Sequence, residues 1–169
     1  MFEGIIMEIK TFYCNPLREC SYVAGDETKE CVIIDPGFYG DREQIVRSQE
    51  WCQSLGLVCT PFGGEFTDIA DGDVIRFGNS SLEVIATPGH TQGGVCFYSQ
   101  ADSVLFSGDT LFAGSIGRSD HPGGDYDQLM ESIARKLMPL DGDVHVLPGH
   151  GPATSIGYER VTNPFLQPA

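Results

Sequence analysis

The chain has 169 residues, of which 41% are hydrophobic, and this apolar content predicts one globular domain over residues 1–169. Ten Lys and Arg residues against 24 Asp and Glu residues give a net charge of −14 at pH 7, and a surface this acidic excludes nucleic acid and anionic membranes as expected partners. The 21 glycines and 10 prolines favour many shaped loops, where binding and catalytic side chains are commonly placed.

The first ten residues carry Glu3 and Glu8 and lack the basic flank of a secretory signal. No stretch of the chain approaches the length of a membrane span, which requires about 18 consecutive apolar residues. We therefore predict a cytoplasmic protein. The sequence contains no C-x-x-C pair, and a chain of this length in a reducing compartment needs no disulfide framework. The cysteines are predicted to be buried or idle thiols: Cys14, Cys20, Cys31, Cys52, Cys59 and Cys96.

The first third of the chain predicts a β-meander, in which short turns join consecutive strands. Strands are predicted over residues 5–13, 21–24 and 31–35. Gly25-Asp26 is expected to form the hairpin turn between the second and the third of these. Residues 41–55 then have the apolar spacing of a helix that Gly56 can end, and residues 57–60 predict a further short strand.

After an irregular segment over residues 61–72, strand patterns return. They cover residues 74–77, 82–87, 95–98 and 104–107. A second helix is predicted over residues 126–138, where apolar residues share one face and Pro139 ends the helix, and a last strand over residues 144–147. Strands that come in runs, with a helix after each run, indicate two packed sheets with helices outside them.

Three of the predicted strands end in the same way, with a glycine followed at once by a side chain able to bind a metal ion. These side chains are His90, Asp109 and His150. The strand fixes the position of such a residue, and the glycine permits a sharp turn and close backbone approach, so the side chain can point inward from the sheet rim. Two imidazoles and one carboxylate suit zinc, iron or manganese.

Each of these turns also has a purely structural interpretation. A lone Pro-Gly-His is usually a turn with an exposed His, and Ser-Gly-Asp-Thr is an ordinary turn whose Asp caps the backbone. The repetition at three strand ends of one small domain favours the metal site. The other two histidines do not share the pattern, so we predict that His145 packs within its strand and that His121 only lines a pocket wall.

Five short segments carry a likeness to a known family. They are TPGHTQGG (87–94), FSGDTLF (106–112), GSIGRSD (114–120), LPGHG (147–151) and TNPF (162–165). Together they resemble the metallo-β-lactamase-fold hydrolases, and within these the glyoxalase II-like (hydroxyacylglutathione hydrolase-like) branch. The resemblance covers nearly the whole chain. It implies an α/β (α+β) fold, an αββα sandwich with a metal site at the rim between its two sheets.

The resemblance also implies a role for each strand-end residue. His90 is expected to be a ligand of one metal ion, Asp109 the catalytic bridge between two, and His150 a ligand of the second. Zinc is the expected metal, with iron or manganese as alternatives. In such a site a metal-bound hydroxide attacks a thioester carbonyl.

The expected substrate, a small-molecule thioester of the glutathione type, is anionic, so an acidic protein needs local cations to bind it. Arg118 and Lys136 are the nearest candidates by sequence. For Arg118 an ion pair with Asp120 or Asp125 is an equal alternative, because loop arginines commonly pair with acids.

The sequence departs from the family at its main metal motif, His-x-His-x-Asp-His. That motif follows the strand predicted over residues 57–60, but here the next residues are PFGGE (61–65), and no histidine precedes His90. The helix and strand that ordinarily follow the motif are also missing, so we expect a sandwich truncated after residue 60. Each metal ion would then keep two protein ligands, whereas a catalytic zinc normally holds three.

Three interpretations remain open. In the first, the chain is a glyoxalase II-like hydrolase with a reduced metal site. His90, Asp109 and His150 are then either divided between two metal ions or converge on one metal ion as a 2-His-1-carboxylate set. Alternatively it is a catalytically inactive relative that acts as a binding or assembly module. The third interpretation is that residues 60–64 mark an artificial junction, at which a segment of the natural protein is missing. Because a missing helix and strand would uncover one flank, a homodimer through that flank is expected.

Overall fold

The computed structural model describes residues 7–14, 18–35, 53, 56 and 67–167. In chain order its strands and helices are β1 (Glu8–Cys14), β2 (Glu19–Gly25), β3 (Cys31–Ile34), β4 (Val74–Phe77), β5 (Ser80–Ala86), β6 (Val95–Ser99), β7 (Val104–Gly108), β8 (Leu111–Phe112), β9 (Ser115–Ile116), α1 (Tyr126–Ser132), a π-helical turn (Ile133–Leu137), β10 (His145–Pro148), β11 (Thr154–Ser155) and α2 (Ile156–Thr162).

Strands β1, β2 and β3 form the predicted meander, an antiparallel sheet in which Thr11 lies opposite Tyr22 and Tyr22 opposite Ile34. The turn after β2 is stabilised by the buried Asp26 carboxylate, which accepts hydrogen bonds from the Thr28 amide at 2.9 Å and from the Asn79 amide at 2.7 Å. Asn79 belongs to the turn between β4 and β5, so this one carboxylate joins the meander to the second sheet.

The second sheet has six strands in the order β11-β10-β7-β6-β5-β4. Its neighbours are antiparallel except β7 and β10, which run parallel, with α1 lying between them in sequence. The strands predicted over residues 74–77, 82–87, 95–98, 104–107 and 144–147 are confirmed, with ends that differ by two residues at most. Because β7 and β10 are parallel, their carboxyl ends lie at the same edge of the sheet.

The core lies on both faces of the six-stranded sheet, and β7 shows the division. Val104 and Phe106 pack with buried residues of the meander, whereas Leu105 packs with α1 and the π-helical turn. Neighbouring residues of a strand point to opposite faces, so one strand serves both layers. The predicted arrangement of two packed sheets with a helix outside them is confirmed for the described residues. The helix predicted over residues 41–55 lies outside them, apart from Gln53, which is helical.

The second predicted helix differs from its expected form. The α-helical hydrogen bonding of α1 ends at Ser132 and a π-helical turn follows, in which the Met138 amide donates to the Ile133 carbonyl at 2.9 Å. Ser132 donates its hydroxyl to the Pro88 carbonyl at 2.8 Å, which links the end of α1 to the loop after β5. The short helix α2 was not predicted.

Two predictions made from the sequence are wrong. His145 does not pack but is exposed on β10, because it alternates with the fully buried Val146. Cys20 and Cys96 are buried free thiols as predicted, and burial raises the pKa of Cys96 to about 11. Cys31, however, is disulfide-bonded, with a partner outside the described side chains. Cysteine spacing along the chain does not restrict which thiols meet in the fold, so the sequence argument missed this bond.

Among the described residues, no helix combines the length and the apolar character that crossing a membrane requires.

Candidate functional site

Asp109 lies between two histidine rings. Its Oδ2 is 3.5 Å from Nε2 of His90, and its Oδ1 is 3.6 Å from Nε2 of His150. The side chains of His90, Asp109 and His150 keep 26%, 33% and 36% of their surface exposed, so a small molecule can reach all three. The structure therefore brings together the three strand-end residues that the sequence singles out.

The edge of the six-stranded sheet places Asp109 beside His150. Asp109 follows β7 directly, His150 lies two residues beyond β10, and the Gly149 amide donates to the Gly108 carbonyl at 2.8 Å. A Cβ atom at residue 149 would lie 2.5 Å from Asp109 Oδ1. Glycine at residue 149 permits this approach without displacing the Asp109 side chain, in agreement with the predicted reason for a glycine before His150.

His90 reaches the same place from the loop between β5 and β6. The hydroxyl groups of Thr87 and Thr110, both buried, lie 2.9 Å apart and connect this loop to the one that carries Asp109. At the start of α1, the Asp125 amide donates to the Gly89 carbonyl at 2.7 Å. The loop is therefore held on two sides immediately before His90. The TPGH and SGDT segments contain Thr87 and Thr110 and predict turns there, but they do not predict that the two hydroxyl groups meet.

The orientation of the His90 ring is set by the backbone of the segment after β9. His90 Nδ1 lies 2.6 Å from the Arg118 carbonyl oxygen, which can only accept, so Nδ1 carries the proton. Nε2 is then left with a free lone pair facing Asp109, the arrangement of a metal-binding imidazole. The His121 ring packs edge-on against His90, with ring centroids 5.0 Å apart.

The His150 ring has a different environment. It lies edge-on to the Phe112 ring at 6.1 Å, and its backbone forms a β-bridge with Glu19. Within the described part of the chain, no carbonyl or carboxylate holds His150 Nδ1 as the Arg118 carbonyl holds His90.

A cavity of about 230 Å³ opens in front of Asp109. Its lining includes Glu19 and Asp35, which the sequence argument did not assign to the site. Asp35 as a residue is exposed, but its carboxyl group is buried in the cavity, and this burial raises the pKa of Asp35. The negative charges of Asp109 and Glu19 raise this pKa further, and His150 lowers it by a smaller amount. Asp35 also follows a strand, β3, which is the signal that could have found it.

Arg118 and Lys136 both form ion pairs away from this cavity. Arg118 Nε lies 3.0 Å from Asp120, one of the two partners named as an alternative, and Lys136 Nζ lies 2.9 Å from Asp71. Neither cation is among the described residues that line the cavity. Arg118 contributes to the site through its carbonyl group rather than its charge.

A buried carboxylate supports the segment that carries Arg118. Glu159 of α2 is fully buried and accepts hydrogen bonds from the Gly114 amide at 2.8 Å, the Asn163 side chain at 2.8 Å and the Thr154 hydroxyl at 2.6 Å. Asn163 donates in turn to the Ser115 carbonyl at 3.0 Å. This network fixes the start of the segment leading to the carbonyl that holds His90. Sequence reasoning missed it, since a glutamate on a helix is usually exposed.

The donor atoms at Asp109 fit a metal site in type and spacing. Two ligands with bonds of about 2.1 Å at a tetrahedral angle lie about 3.4 Å apart, close to both histidine–carboxylate distances. The number of donors does not fit. Over the described residues, no set of three or more His, Cys, Asp or Glu side chains is arranged to hold a metal ion. The described residues therefore form two incomplete halves of a site that share one carboxylate.

The family model of the metallo-beta-lactamase superfamily matches residues 61–150, more than half of the chain and all three strand-end residues. The chain belongs to this superfamily. A relative from Aquifex aeolicus, described as an uncharacterized protein, is 32% identical over 206 aligned positions that cover 94% of this chain and 97% of the relative. The hydroxyacylglutathione hydrolase GloC of Haemophilus influenzae is 44% identical over 96 residues, which cover 57% of this chain and 45% of that protein.

Two solved structures share the fold of this chain. The crystal structure of ETHE1 from Myxococcus xanthus superposes with a TM-score of 0.83 at 27% identity, covering 94% of this chain and 84% of that one. The crystal structure of TTHA1623 in a di-iron-bound form gives a TM-score of 0.72 at 27% identity, covering 93% of this chain and 100% of that one. The mixed α/β sandwich expected from the resemblance is confirmed.

Proposed function

We propose that this member of the metallo-beta-lactamase superfamily is a glyoxalase II-like thioester hydrolase whose metal site is built around Asp109. The observation that carries the proposal is the position of Asp109, whose two oxygens each face a histidine Nε2, at 3.5 and 3.6 Å. The partial match to a hydroxyacylglutathione hydrolase supports the thioester as substrate, and the di-iron form of a fold neighbour supports a metal pair. Zinc, iron and manganese all accept this donor chemistry.

The hydrolysis itself needs few groups. Water adds to the thioester carbonyl and the carbon–sulfur bond breaks, leaving a carboxylic acid and a thiol. In this chain the cavity of about 230 Å³ binds the carbonyl end of the substrate next to Asp109. The Arg118 carbonyl keeps the proton on His90 Nδ1, so that Nε2 stays available as a donor.

The metal site is reduced relative to the family pattern. No histidine precedes His90, so nothing in the chain supplies the His-x-His-x-Asp-His ligands. The alignment with the Aquifex aeolicus relative spans 206 positions, more than the 169 residues of this chain, so that relative carries residues with no counterpart here. This supports an internal loss, and we propose that it lies after residue 60 and removed the principal metal motif.

Elemental analysis of the purified protein, paired with hydrolysis of S-lactoylglutathione, tests the proposal. We expect bound metal and thioester turnover in the unmodified chain, both lost on treatment with a chelator and in His90→Ala and Asp109→Ala. His145→Ala is the matched control, because His145 is exposed on β10 and should leave metal content and turnover unchanged. A protein that binds no zinc, iron or manganese and hydrolyses no thioester contradicts the proposal.

The second candidate function is that of a catalytically inactive relative acting as a binding or assembly module. It is favoured by the donor count, since no described set of three side chains can hold a metal ion. This second candidate function includes the homodimer expected through the flank that a missing helix and strand would uncover. Light scattering tests for the dimer. A dimer that binds no metal and hydrolyses no thioester would support this function over the hydrolase.

A further inference from the structure

A second cavity lies next to the candidate site. It measures about 430 Å³ and its described lining consists of Tyr13, Arg18, Gly151 and Pro152. The Arg18 guanidinium carbon lies 5.0 Å from the centre of the Tyr13 ring, close enough for a cation–π contact. Arg18 is exposed and Tyr13 keeps 56% of its surface exposed, so a cation and an aromatic face are offered together to a ligand.

Neighbouring residues of the same two backbone segments line this second cavity and the cavity at Asp109. Glu19 lines the first cavity and forms a β-bridge with His150. Arg18 and Gly151, which lie opposite each other on one side of this antiparallel bridge, line the second cavity. Close by, the Cys20 amide donates to the Gly149 carbonyl at 2.7 Å. The two cavities therefore both lie along the paired backbone of residues 18–20 and 149–151.

The two cavities differ in charge. The described lining of the first cavity contains the carboxylates of Glu19, Asp35 and Asp109, whereas the described lining of the second contains a cation and no carboxylate. Among residues 7–14, 18–35 and 67–167, no carboxylate forms an ion pair with Arg18. In a chain of net charge −14, an anionic group is repelled by most of the surface and attracted to this point.

The backbone of Arg18 supports a positioning role. Its φ is +55°, in the left-handed region that residues other than glycine seldom adopt. Such conformations persist where the surrounding structure holds them, and they concentrate at ligand-binding positions. Here the conformation lies at the start of β2, where the chain places Arg18 in the second cavity and the next residue in the first.

We propose that Arg18 and Tyr13 form a subsite that binds the anionic end, a carboxylate, of a thioester substrate. The guanidinium offers paired N–H donors that match a carboxylate, and the Tyr13 ring supports the guanidinium from below. The inference rests on the proposed function, since it places the thioester carbonyl at Asp109. It assigns the role of anion binding to Arg18 instead of Arg118 and Lys136, which pair with Asp120 and Asp71.

A matched pair of substrates tests the subsite. The acetyl thioester of 3-mercaptopropionate is anionic, and the acetyl thioester of its methyl ester is neutral with nearly the same shape. For Arg18→Gln we expect KM for the anionic thioester to rise about fivefold, the effect of losing one exposed charge-assisted contact, with kcat unchanged and the neutral thioester unaffected. Arg18→Lys should recover part of the loss. Arg76→Gln removes an exposed cation from β4 and should leave KM unchanged for both.

Binding without turnover separates the subsite from the proposed function. The S-ethyl thioethers of the same two acids cannot be hydrolysed, and their affinities can be followed by NMR titration. Tighter binding of the carboxylate thioether, reduced in Arg18→Gln and by added salt, supports the subsite even if the protein hydrolyses no thioester. Equal affinity of the two thioethers, or an affinity that Arg18→Gln does not change, overturns the subsite even if thioester hydrolysis is observed.

Discussion

The two sides of Asp109 are built differently. On one side the His90 ring is held at Nδ1 by the Arg118 carbonyl at 2.6 Å, in a segment that the buried Glu159 anchors at its start. On the other side His150 is placed by the backbone of β10 and its bridge to Glu19, and its ring contacts Phe112. The His90 side is therefore oriented by a network of polar contacts, and the His150 side mainly by strand geometry.

The difference indicates which half of the site is more ordered before any ligand binds. A ring whose second nitrogen is fixed loses less freedom when the first nitrogen binds a ligand. His90 meets this condition through a backbone carbonyl, which does not depend on side-chain conformation. We expect that disturbing the segment behind His90 affects both the fold and the site, whereas comparable changes near His150 affect the fold less.

Gly117→Ala should have the largest effect. Gly117 lies between β9 and Arg118, and a Cβ atom there would lie 1.9 Å from the Asp109 carbonyl oxygen and 3.2 Å from His90 Cβ. The first of these neighbours is backbone and cannot rotate away, so we expect a loss of about 3 kcal/mol in the free energy of unfolding. Urea denaturation measures this loss.

Two other glycines make the comparison quantitative. At Gly149, on the His150 side, the nearest atom to an added Cβ is Asp109 Oδ1 at 2.5 Å, which can shift with its side chain, and the nearest backbone atom is the Gly108 carbonyl carbon at 3.1 Å. Gly149→Ala should therefore cost less, about 2 kcal/mol. Gly93 has nothing within 4 Å of an added Cβ, and Gly93→Ala is the control. If Gly149→Ala is the more damaging substitution, the two sides have been ranked wrongly.

Glu159→Gln should have the next largest effect. The single oxygen of the amide can still accept from the Gly114 amide and the Asn163 side chain, which share Oε2 of Glu159, but the NH₂ group then faces the Thr154 hydroxyl, which can no longer donate there. The remaining bonds also lose a charged acceptor. We expect a loss of about 2 kcal/mol in the free energy of unfolding. Glu131→Gln, which removes an exposed carboxylate paired with Arg135, is the control and should cost less than 0.5 kcal/mol, about the value of a surface ion pair.

Hydrogen exchange shows which side of Asp109 the Glu159 substitution loosens. The Gly117 amide donates to the Thr110 carbonyl at 3.1 Å and the Gly149 amide to the Gly108 carbonyl at 2.8 Å. In Glu159→Gln we expect faster exchange at Gly117 and unchanged exchange at Gly149. Equal acceleration at both amides would show that Glu159 supports the whole fold and not the His90 side in particular.

The three strand-end residues could be predicted because strand periodicity and glycine position are local properties of the sequence. The apolar runs of β5, β7 and β10 are unambiguous, and each precedes a glycine and then His90, Asp109 or His150. Asp109 and His150 meet at one sheet edge because β7 and β10 are parallel neighbours. His90 comes to the same edge because β5 is separated from β7 by the antiparallel β6 and therefore runs in the same direction as β7.

The rest of the site depends on contacts between segments far apart in the chain. Asp35 and Arg18 reach the cavities only because β2 and β3 fold over the second sheet, and no local pattern reports that packing. Glu159 is buried because α2 packs against the segment from β8 to β9, 45 residues earlier in the chain at Gly114. The ion pair of Arg118 with Asp120 was one of the alternatives that the sequence offered, because the two residues are neighbours in the chain. The pair of Lys136 with Asp71 joins residues 65 positions apart, and no local pattern predicts it.

Lys136→Gln should have the smallest effect, and it acts at the far end of the His90 side. Lys136 pairs with Asp71 at 2.9 Å, and Asp71 also accepts from the Ala86 amide at 2.7 Å, at the end of β5 before the His90 loop. Both groups are partly exposed, so we expect a loss of about 0.5 kcal/mol at pH 7 that decreases with salt. The contact with Lys136 and the Ala86 amide hold the pKa of Asp71 below its ordinary 3.8.

A carboxylate with a lowered pKa in the folded state stabilises the protein above its unfolded pKa and loses that contribution as the pH falls through the folded value. The difference between the unmodified chain and Lys136→Gln should therefore be complete at pH 7 and disappear as the pH falls below 3.8. Urea denaturation at a series of pH values checks this. Hydrogen exchange at the Ala86 amide is a second measurement, and it should be faster in Lys136→Gln than in the control Arg135→Gln. The control removes the neighbouring cation from its pair with Glu131. If Lys136→Gln and Arg135→Gln leave the Ala86 amide equally protected, the ion pair does not help to hold the end of β5.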